Sequence, residues 1–330
     1  MKKYTVIMLC LLICLSALTG CSGTPAASGG KPRIVATIFP QYDWTRCIAG
    51  DRADVELLLD NGVDLHSYQP TADDIVMIST CDMFIYVGGE SDKWVDDVLK
   101  NASNKDMIVI NLLDVLGDAV KEEEFVEGME KEEHDHDNDE DHGDNDEDEE
   151  GPEYDEHIWL SLRNASALCR AIAAKLGELD AANADYYTAN ANDYIEKLDA
   201  LDRQYTDTLE ASPVKTLLFA DRFPFRYLAD DYGLDYYAAF AGCSAETEAS
   251  FETIIFLAKK ADELGLVAIM QIESADGSIA RTVRDSTKTK DQEILTLDSL
   301  QSITADEIEN GVTYLSLMEN NLSVLREALK

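Results

Sequence analysis

Apolar runs alternate with helix-like segments along the first part of the chain. Four runs are mainly apolar, the pattern of strands that are buried on both faces. They are Arg33–Phe39, Val55–Leu59, Met83–Val87 and Met107–Leu112. Helical spacing separates them at Tyr42–Ala49, Ala72–Ser79 and Lys93–Asn101. Strands that alternate with helices predict a parallel α/β sheet, so this part of the chain is expected to form one lobe.

The pattern then becomes helical before strands return. Ser161–Leu176 is predicted to be a helix, and Ala182–Leu209 follows without an internal proline or glycine. At 1.5 Å per residue the second helix would be about 40 Å long, enough to cross a small domain. After Ser212-Pro213 the alternation restarts with strands at Val214–Phe219, Asp235–Phe240, Val267–Ile272 and Glu293–Leu297, and with helices at Phe223–Tyr232, Phe251–Leu264 and Gly311–Lys330. The predicted fold class is α/β, with two Rossmann-like lobes joined by one long rigid helix and a ligand site in the cleft between them.

The N-terminus has the pattern of a targeting segment. Lys2 and Lys3 precede the apolar run Val6–Leu18, which is too short to span a membrane as a helix. The run ends in Leu18-Thr-Gly-Cys21, which resembles the bacterial lipobox and implies a diacylated Cys21. The expected organisation is a signal peptide over 1–20, a flexible tether over 21–30, an N-terminal lobe over 31–181, a connecting helix over 182–212 and a C-terminal lobe over 213–330.

An acidic segment over 121–156 interrupts the first lobe and contains His134, His136 and His142. It holds about half of the chain's net charge of −39, and such a segment is expected to be disordered because like charges repel. Imidazoles among carboxylates predict the capture of divalent transition metals, and a solvated linker without function is the alternative. The charge argues against nucleic acid and against an anionic membrane surface as electrostatic partners.

Three side chains of metal-binding type follow predicted strands or the acidic segment. His66 comes after Val55–Leu59, His157 follows the acidic segment, and Asp298 ends the last strand. Ligands of open α/β sheets bind outside the carboxyl ends of the strands, although a lone histidine is more often a structural residue. Four cysteines remain after the lipobox: Cys47, Cys81, Cys169 and Cys243. Spacing leaves open whether they form disulfides or stay buried as thiols.

Four motifs together resemble the zinc/manganese ABC-transporter solute-binding lipoproteins over nearly the whole mature chain. Gly62-Val-Asp-Leu-His66-Ser-Tyr-Gln-Pro-Thr71 is similar to G-x-D-P-H-x-Y-E-P-T, and Asp155-Glu-His157-Ile-Trp-Leu160 to D-P-H-x-W-L. Cys243-Ser-Ala-Glu-Thr-Glu-Ala-Ser250 is similar to S-T-E-S-E-P-S, and Asp298-Ser to the final D-S. Zinc-type members carry a loop rich in His and Asp just before the second histidine, where the acidic segment lies.

The resemblance implies a binding protein and not an enzyme. It implies a lipid-anchored, extracytoplasmic receptor, expected to be a monomer, that binds Zn²⁺ (Mn²⁺ is the alternative) and delivers it to the permease of an ABC importer. The implied ligands are His66, His157, Asp221 and Asp298, with Glu246, Glu248 and Glu273 as outer partners. Two other functions stay open: a surface metal buffer or adhesin that uses the acidic loop, and an exported metallohydrolase, which would need an open metal position and a general base.

One position departs from the family's pattern. Arg222 stands where the family has its third ligand, and a guanidinium has no lone pair to offer a metal. We expect Asp221 to substitute for it at the start of the following helix. The alternative is that Asp221 only caps that helix.

Overall fold

Two parallel sheets organise the chain in the computed structural model, which describes residues 30–130, 153–244 and 248–330. The strands of the first sheet are β1 Arg33–Ala36, β2 Asp54–Leu57, β3 Met83–Tyr86 and β4 Ile108–Asn111, in the order β2-β1-β3-β4. Those of the second are β5 Thr216–Arg222, β6 Asp235–Phe240, β7 Ala268–Ile272 and β8 Glu293–Leu297, in the order β6-β5-β7-β8. The predicted α/β class with two lobes is confirmed.

Helices cover the sheets and connect the lobes. In the first lobe they are α1 Phe39–Ala49, α2 Ala72–Thr80, α3 Trp94–Lys100, α4 Leu112–Leu116 and α5 Leu162–Leu179. The connecting helix α6 is Ala184–Ala211, and the second lobe contains α7 Arg226–Tyr232, α8 Phe251–Leu264, α9 Ser278–Ser286, α10 Ala305–Glu309 and α11 Tyr314–Ala328. Within the described ranges, none of these helices has the length and apolar character that crossing a membrane requires.

Helix α6 confirms the predicted long connector and touches both lobes. Its buried side chains recur every three or four residues, from Tyr187 through Leu198 to Leu209. On the side of the first lobe, the amide of Asn190 donates a hydrogen bond of 2.9 Å to the carbonyl of Ile48. On the side of the second, the hydroxyl of Tyr205 donates one of 2.6 Å to the carbonyl of Met318. The helix therefore fixes the two lobes to a common support.

One apolar core runs through both lobes. It includes Trp44 and Trp159 from the first lobe and Phe219 and Tyr314 from the second, all fully or almost fully buried. Trp44 and Tyr314 pack edge to face, with ring centroids 5.1 Å apart. The indole of Trp159 also donates a 2.8 Å hydrogen bond to the carbonyl of Ser299. Because apolar packing crosses the lobe boundary, the cleft is held by the core as well as by α6.

Both sheets have the strand order that opens a crevice at their carboxyl ends. After the two central strands the chain leaves in opposite directions, so the loops diverge and leave space between them. The loops after β2 and β3 carry His66 and Ser91, and β5 ends in Asp221 and Arg222. These segments form the edges from which the candidate site is built.

The predicted start of the helix after β5 is wrong. Strand β5 continues to Arg222, with a shift of register between Phe219 and Arg222, and the helix begins only at Arg226. Pro224 explains the delay, since a residue that precedes proline avoids helical backbone angles. Asp221 is therefore a strand residue and caps no helix; the N-cap position belongs to Phe225.

Several predictions from the sequence lie outside the described residues. They are the signal peptide, Cys21 and the tether up to residue 29, the loop histidines His134, His136 and His142, and Glu246.

The buried side chains of α6 allow a test of whether this helix supports the two lobes. Leu198→Ala should lower the free energy of unfolding by about 2–5 kcal/mol, because the side chain is fully buried and its loss leaves a cavity. Urea unfolding followed by circular dichroism measures this loss. The matched control is Glu196→Ala on the exposed face, which should change stability by less than about 0.5 kcal/mol. Equal effects of the two variants would contradict this role for the helix.

Candidate metal centre

Two short turns with the same local geometry present the two histidines. In Asp64-Leu65-His66, the Asp64 carboxylate accepts a hydrogen bond of 3.0 Å from the backbone N–H of His66. In Asp155-Glu156-His157, the Asp155 carboxylate accepts one of 2.9 Å from the N–H of His157. An aspartate that bonds the backbone two residues on stabilises a tight turn. The Asp-x-His pattern therefore sets the backbone at both histidines.

The two imidazoles point their Nε2 atoms at each other. These atoms are 3.2 Å apart, although the residues are 91 positions apart in the sequence. The Nδ1 atoms face outward: that of His66 lies 2.7 Å from the hydroxyl of Ser91, and that of His157 lies 3.0 Å from the Asp155 carboxylate. An outward partner at Nδ1 holds the ring so that the Nε2 lone pair faces the centre.

This geometry suits a cation between the rings. Two nitrogen lone pairs at this distance repel each other unless a proton or a cation lies between them. Burial, and then the neighbouring His157, lower the pKa of His66 to about 3, so this ring is neutral at ordinary pH. Tetrahedral zinc with bonds of about 2.0–2.1 Å places two nitrogen ligands roughly 3.3 Å apart. The observed separation is close to that edge of the tetrahedron.

Glu156 lies behind His66 and has no equivalent in the predicted ligand set. One oxygen of its buried carboxylate accepts a 2.9 Å hydrogen bond from the N–H of Ser91. The other oxygen lies 3.7 Å from Nδ1 of His66 and has no hydrogen-bond partner within the described part of the chain. Burial raises the pKa of Glu156. The side chain supports the Ser91 loop through this hydrogen bond.

Arg222 connects the second lobe to the first turn. Its guanidinium forms an ion pair of 2.6 Å with the second carboxylate oxygen of Asp64 and a weaker contact of 3.4 Å with the carbonyl of Ser244. Burial alone would raise the pKa of Asp64, but Arg222 and then His66 outweigh it, so that the pKa lies below its ordinary value. Arg222 therefore braces the turn that presents His66.

The structure does not bring the two predicted aspartate ligands into the group formed by the histidines. The oxygens of Asp221 accept hydrogen bonds from the N–H groups of Arg222, at 2.8 Å, and Ile272, at 3.1 Å. One oxygen of Asp298 accepts a 2.8 Å hydrogen bond from the N–H of Leu300. Asp221 lines a cavity of about 510 Å³ together with His66, Arg222 and Glu248. Ligation by Asp221 or Asp298 stays a prediction.

The glutamates predicted as outer partners of the histidines do not have that arrangement where they are described. Glu273 accepts hydrogen bonds of 2.8 and 2.6 Å from the N–H and hydroxyl of Ser299. Glu248 lines the cavity, and among the described residues no hydrogen bond joins it to His66 or His157. The outer partners are instead Ser91 and Asp155, which the sequence analysis missed. The repeated Asp-x-His spacing could have identified Asp155, whereas Ser91 lies in a separate loop.

Cys243 is the other residue that the sequence analysis missed. Within the described ranges, one ligand atom each of His66, His157 and Cys243 lies within 4.8 Å of the others. Burial, followed by Asp155 and Glu123, raises the pKa of the thiol well above its ordinary value. The described cysteines Cys47, Cys81, Cys169 and Cys243 are all free thiols, which answers the question of disulfides for this part of the chain.

Comparisons with known proteins agree with the fold and the motifs. A family model described as "Zinc-uptake complex component A periplasmic" matches residues 34–328. The high-affinity zinc uptake system protein ZnuA of Bacillus subtilis is 32% identical over 332 residues, which cover 99% of this chain and 98% of that protein. The zinc-binding lipoprotein AdcA of Streptococcus pneumoniae is also 32% identical, over 337 residues. The chain spans 61% of the length of that relative and of the AdcA proteins of Streptococcus pyogenes.

A solved structure supports the same relationship. The crystal structure of the Zn(II)-bound ZnuA-like domain of Streptococcus pneumoniae AdcA superposes with a TM-score of 0.70 at 29% sequence identity. The match covers 91% of this chain and 99% of that domain.

The turn that presents His157 generates a quantitative test. Asp155→Ala should weaken Zn²⁺ binding by about 10–100-fold, because the imidazole loses its outward partner and its fixed orientation. Competition with a zinc chelator measures the affinity, and a thermal melt checks the fold. Asp155→Asn keeps an acceptor oxygen and should lose less, and Glu153→Ala, on an exposed side chain nearby, should lose nothing. Wild-type affinity in Asp155→Ala would show that the ring needs no such support.

Proposed function

Because this chain belongs to the family of periplasmic zinc-uptake complex component A, we propose that it is a high-affinity, extracytoplasmic Zn²⁺ receptor of a zinc importer. Its role is to bind the ion and release it, with no chemical change. The family membership rests on a match over residues 34–328. The identity of the ion and the partner rests on the site and on what the relatives are named for.

One observation carries the proposal. Two buried imidazoles from separate loops face each other with their Nε2 atoms 3.2 Å apart, and both carry outward partners at Nδ1. Histidines that only support a fold satisfy their nitrogens with protein donors or acceptors. Here the hydrogen bond within the described ranges joins the two inward nitrogens to each other, an arrangement that a shared metal ion would replace.

The donor set favours zinc over manganese. Imidazole suits zinc well, whereas manganese prefers carboxylate, carbonyl and water oxygens. The guanidinium of Arg222, which pairs with Asp64, places a fixed positive charge beside His66 and leaves fewer carboxylates free to bind a hard cation. The surrounding acidic residues still attract a divalent cation, since the chain's net charge is −39.

Delivery to an ABC permease and attachment through a lipid on Cys21 complete the proposal. The relatives from Bacillus subtilis and Streptococcus pneumoniae are named as a zinc uptake protein and a zinc-binding lipoprotein. Both names fit a receptor that is anchored at the membrane surface and transfers its ion to a transporter. The loop histidines His134, His136 and His142 would then serve as a first, weaker point of capture.

Removal of either facing histidine should abolish the tight site. His66→Ala and His157→Ala each delete one of two nitrogen ligands, and neither deletion can be compensated by the partner ring. Chelator competition on metal-stripped protein measures the affinity, and uptake of radioactive zinc by cells measures delivery. His136→Ala, in the acidic loop, is the matched control and should keep the tight site. If either site variant retains wild-type affinity, the assignment is wrong.

Deleting the acidic loop separates a receptor from a surface metal buffer. The deletion should remove only residues 131–152 and join the ends with a short Gly/Ser linker, because Glu123, Asp155 and Glu156 contact the site. A receptor keeps one tight stoichiometric site in this variant. A buffer that relies on the loop loses all binding, which would refute the receptor proposal.

The lipobox generates a prediction about location. Wild-type protein should fractionate with membranes and incorporate labelled fatty acid, whereas Cys21→Ala should lose the label and leave the membrane fraction. The apolar run Val6–Leu18 is too short to span the bilayer as a helix, so it cannot replace the lipid. A Cys21→Ala protein that is found equally with membranes would contradict the anchor.

A further inference from the structure

We propose that the thiolate of Cys243 is the second lobe's ligand to the ion that His66 and His157 bind. The centre would then contain two imidazoles and one thiolate, and Cys243 would replace the ligand that Arg222 cannot supply. This inference rests on the proposed function and adds a specific ligand to it. It also gives a role to a thiol at the cleft that forms no disulfide.

Position is the first argument. Ligand atoms of Cys243, His66 and His157 all lie within 4.8 Å of one another. Tetrahedral zinc requires a nitrogen–sulfur separation of roughly 3.5 Å, given bonds of about 2.0–2.1 Å to nitrogen and 2.3 Å to sulfur. A displacement of the thiol by at most about 1.3 Å, the difference between the 4.8 Å limit and this separation, is therefore enough for it to reach the ion. The loop after β6 thus completes a triangle with the loops that carry the two histidines.

The loop is built to hold the thiol there. A side chain at Gly242 would meet the ring of His157 at 3.3 Å and the carbonyl of Phe223 at 2.9 Å, so glycine lets the backbone lie against the imidazole. The N–H of Cys243 donates a 2.9 Å hydrogen bond to the Glu123 carboxylate. The carbonyl of Ser244 accepts the contact from Arg222. The residue is thus fixed from both sides.

Competing ligands from the second lobe are engaged elsewhere. The guanidinium of Arg222 pairs with Asp64, and both oxygens of Asp221 accept hydrogen bonds from backbone N–H groups. Cys243 forms no disulfide. Its thiol hydrogen-bonds with the Glu123 carboxylate and the Glu156 backbone, and a metal ion can replace these contacts when the thiol loses its proton. A free thiol beside two inward-facing imidazoles has the donor chemistry of a zinc site.

Binding proceeds by exchange of a proton for the ion. The Sγ–H bond breaks, its proton passes to the solvent, and the sulfur lone pair forms the bond to the metal. No electron is transferred, and the nearby carboxylates of Asp155, Glu123 and Glu156 offset the charge of the ion. A thiolate is a soft ligand, so the site should prefer Zn²⁺ to Mn²⁺ more strongly than one completed by a carboxylate.

Cobalt(II) reports a thiolate ligand directly. The metal-stripped full-length protein is titrated with Co²⁺, and a thiolate-to-cobalt charge-transfer band in the near ultraviolet should grow to one equivalent. Cys243→Ser should lose the band and weaken Zn²⁺ binding by more than about 100-fold, the upper end of the cost of losing an outer partner of a ligand. Cys47→Ser, the control thiol outside the group, should keep both.

A measurement on the wild-type protein avoids dependence on how the variants fold. Saturation with Zn²⁺ should protect Cys243 from alkylation, as read by mass spectrometry, and should leave the reactivity of Cys47 unchanged. If Cys243 stays reactive and the band is absent while His66→Ala still abolishes binding, this inference is overturned and the proposed function stands. If wild-type protein binds neither metal tightly, the proposed function itself fails, and this inference with it.

Discussion

Two imidazole nitrogens that face each other at 3.2 Å are the constraint on which the site depends. Each ring can present its lone pair inward only because an outward group holds Nδ1: Ser91 for His66 and Asp155 for His157. Further hydrogen bonds hold these two partners. The Glu156 carboxylate accepts one from the N–H of Ser91, and the hydroxyl of Tyr227 donates one to the carbonyl of Asp155. A cation between the rings would accept a lone pair from each of these nitrogens.

The fold supplies the rigidity that such a site requires. Parallel sheets with diverging loops at their carboxyl ends provide two edges, and α6 with one shared core holds these edges at a fixed separation. Two polar contacts beside the site also join the lobes. Arg222 pairs with Asp64, and the indole of Trp159 donates a hydrogen bond to the carbonyl of Ser299. The lobes are joined by packing as well as by a connector. Release of an ion is therefore expected to require movement of the loops that carry the ligands more than a wide hinge motion.

Arg222 departs from the motif of the family that the sequence resembles, and in the structure it has a different role. A guanidinium cannot bind a metal, and it stabilises the first histidine turn instead by its ion pair with Asp64. The lobe that carries Arg222 still offers the thiol of Cys243 within 4.8 Å of both histidines. Exchange of an oxygen or nitrogen ligand for sulfur would shift preference towards softer metals.

The sequence alone determined the strands and the long connecting helix, because burial periodicity depends on neighbours in the chain. The two Asp-x-His turns also depend on short-range hydrogen bonds, although their role was recognised only in the structure. The sequence also singled out His66 and His157. Only the tertiary structure decided the rest of the donor arrangement. Ser91, Cys243 and the histidines come from separate loops, and their proximity depends on which loops meet at the sheet edges. The tertiary structure also decided the environment of Asp221. This residue lies near the end of β5, where backbone N–H groups of β5 and β7 donate hydrogen bonds to its carboxylate.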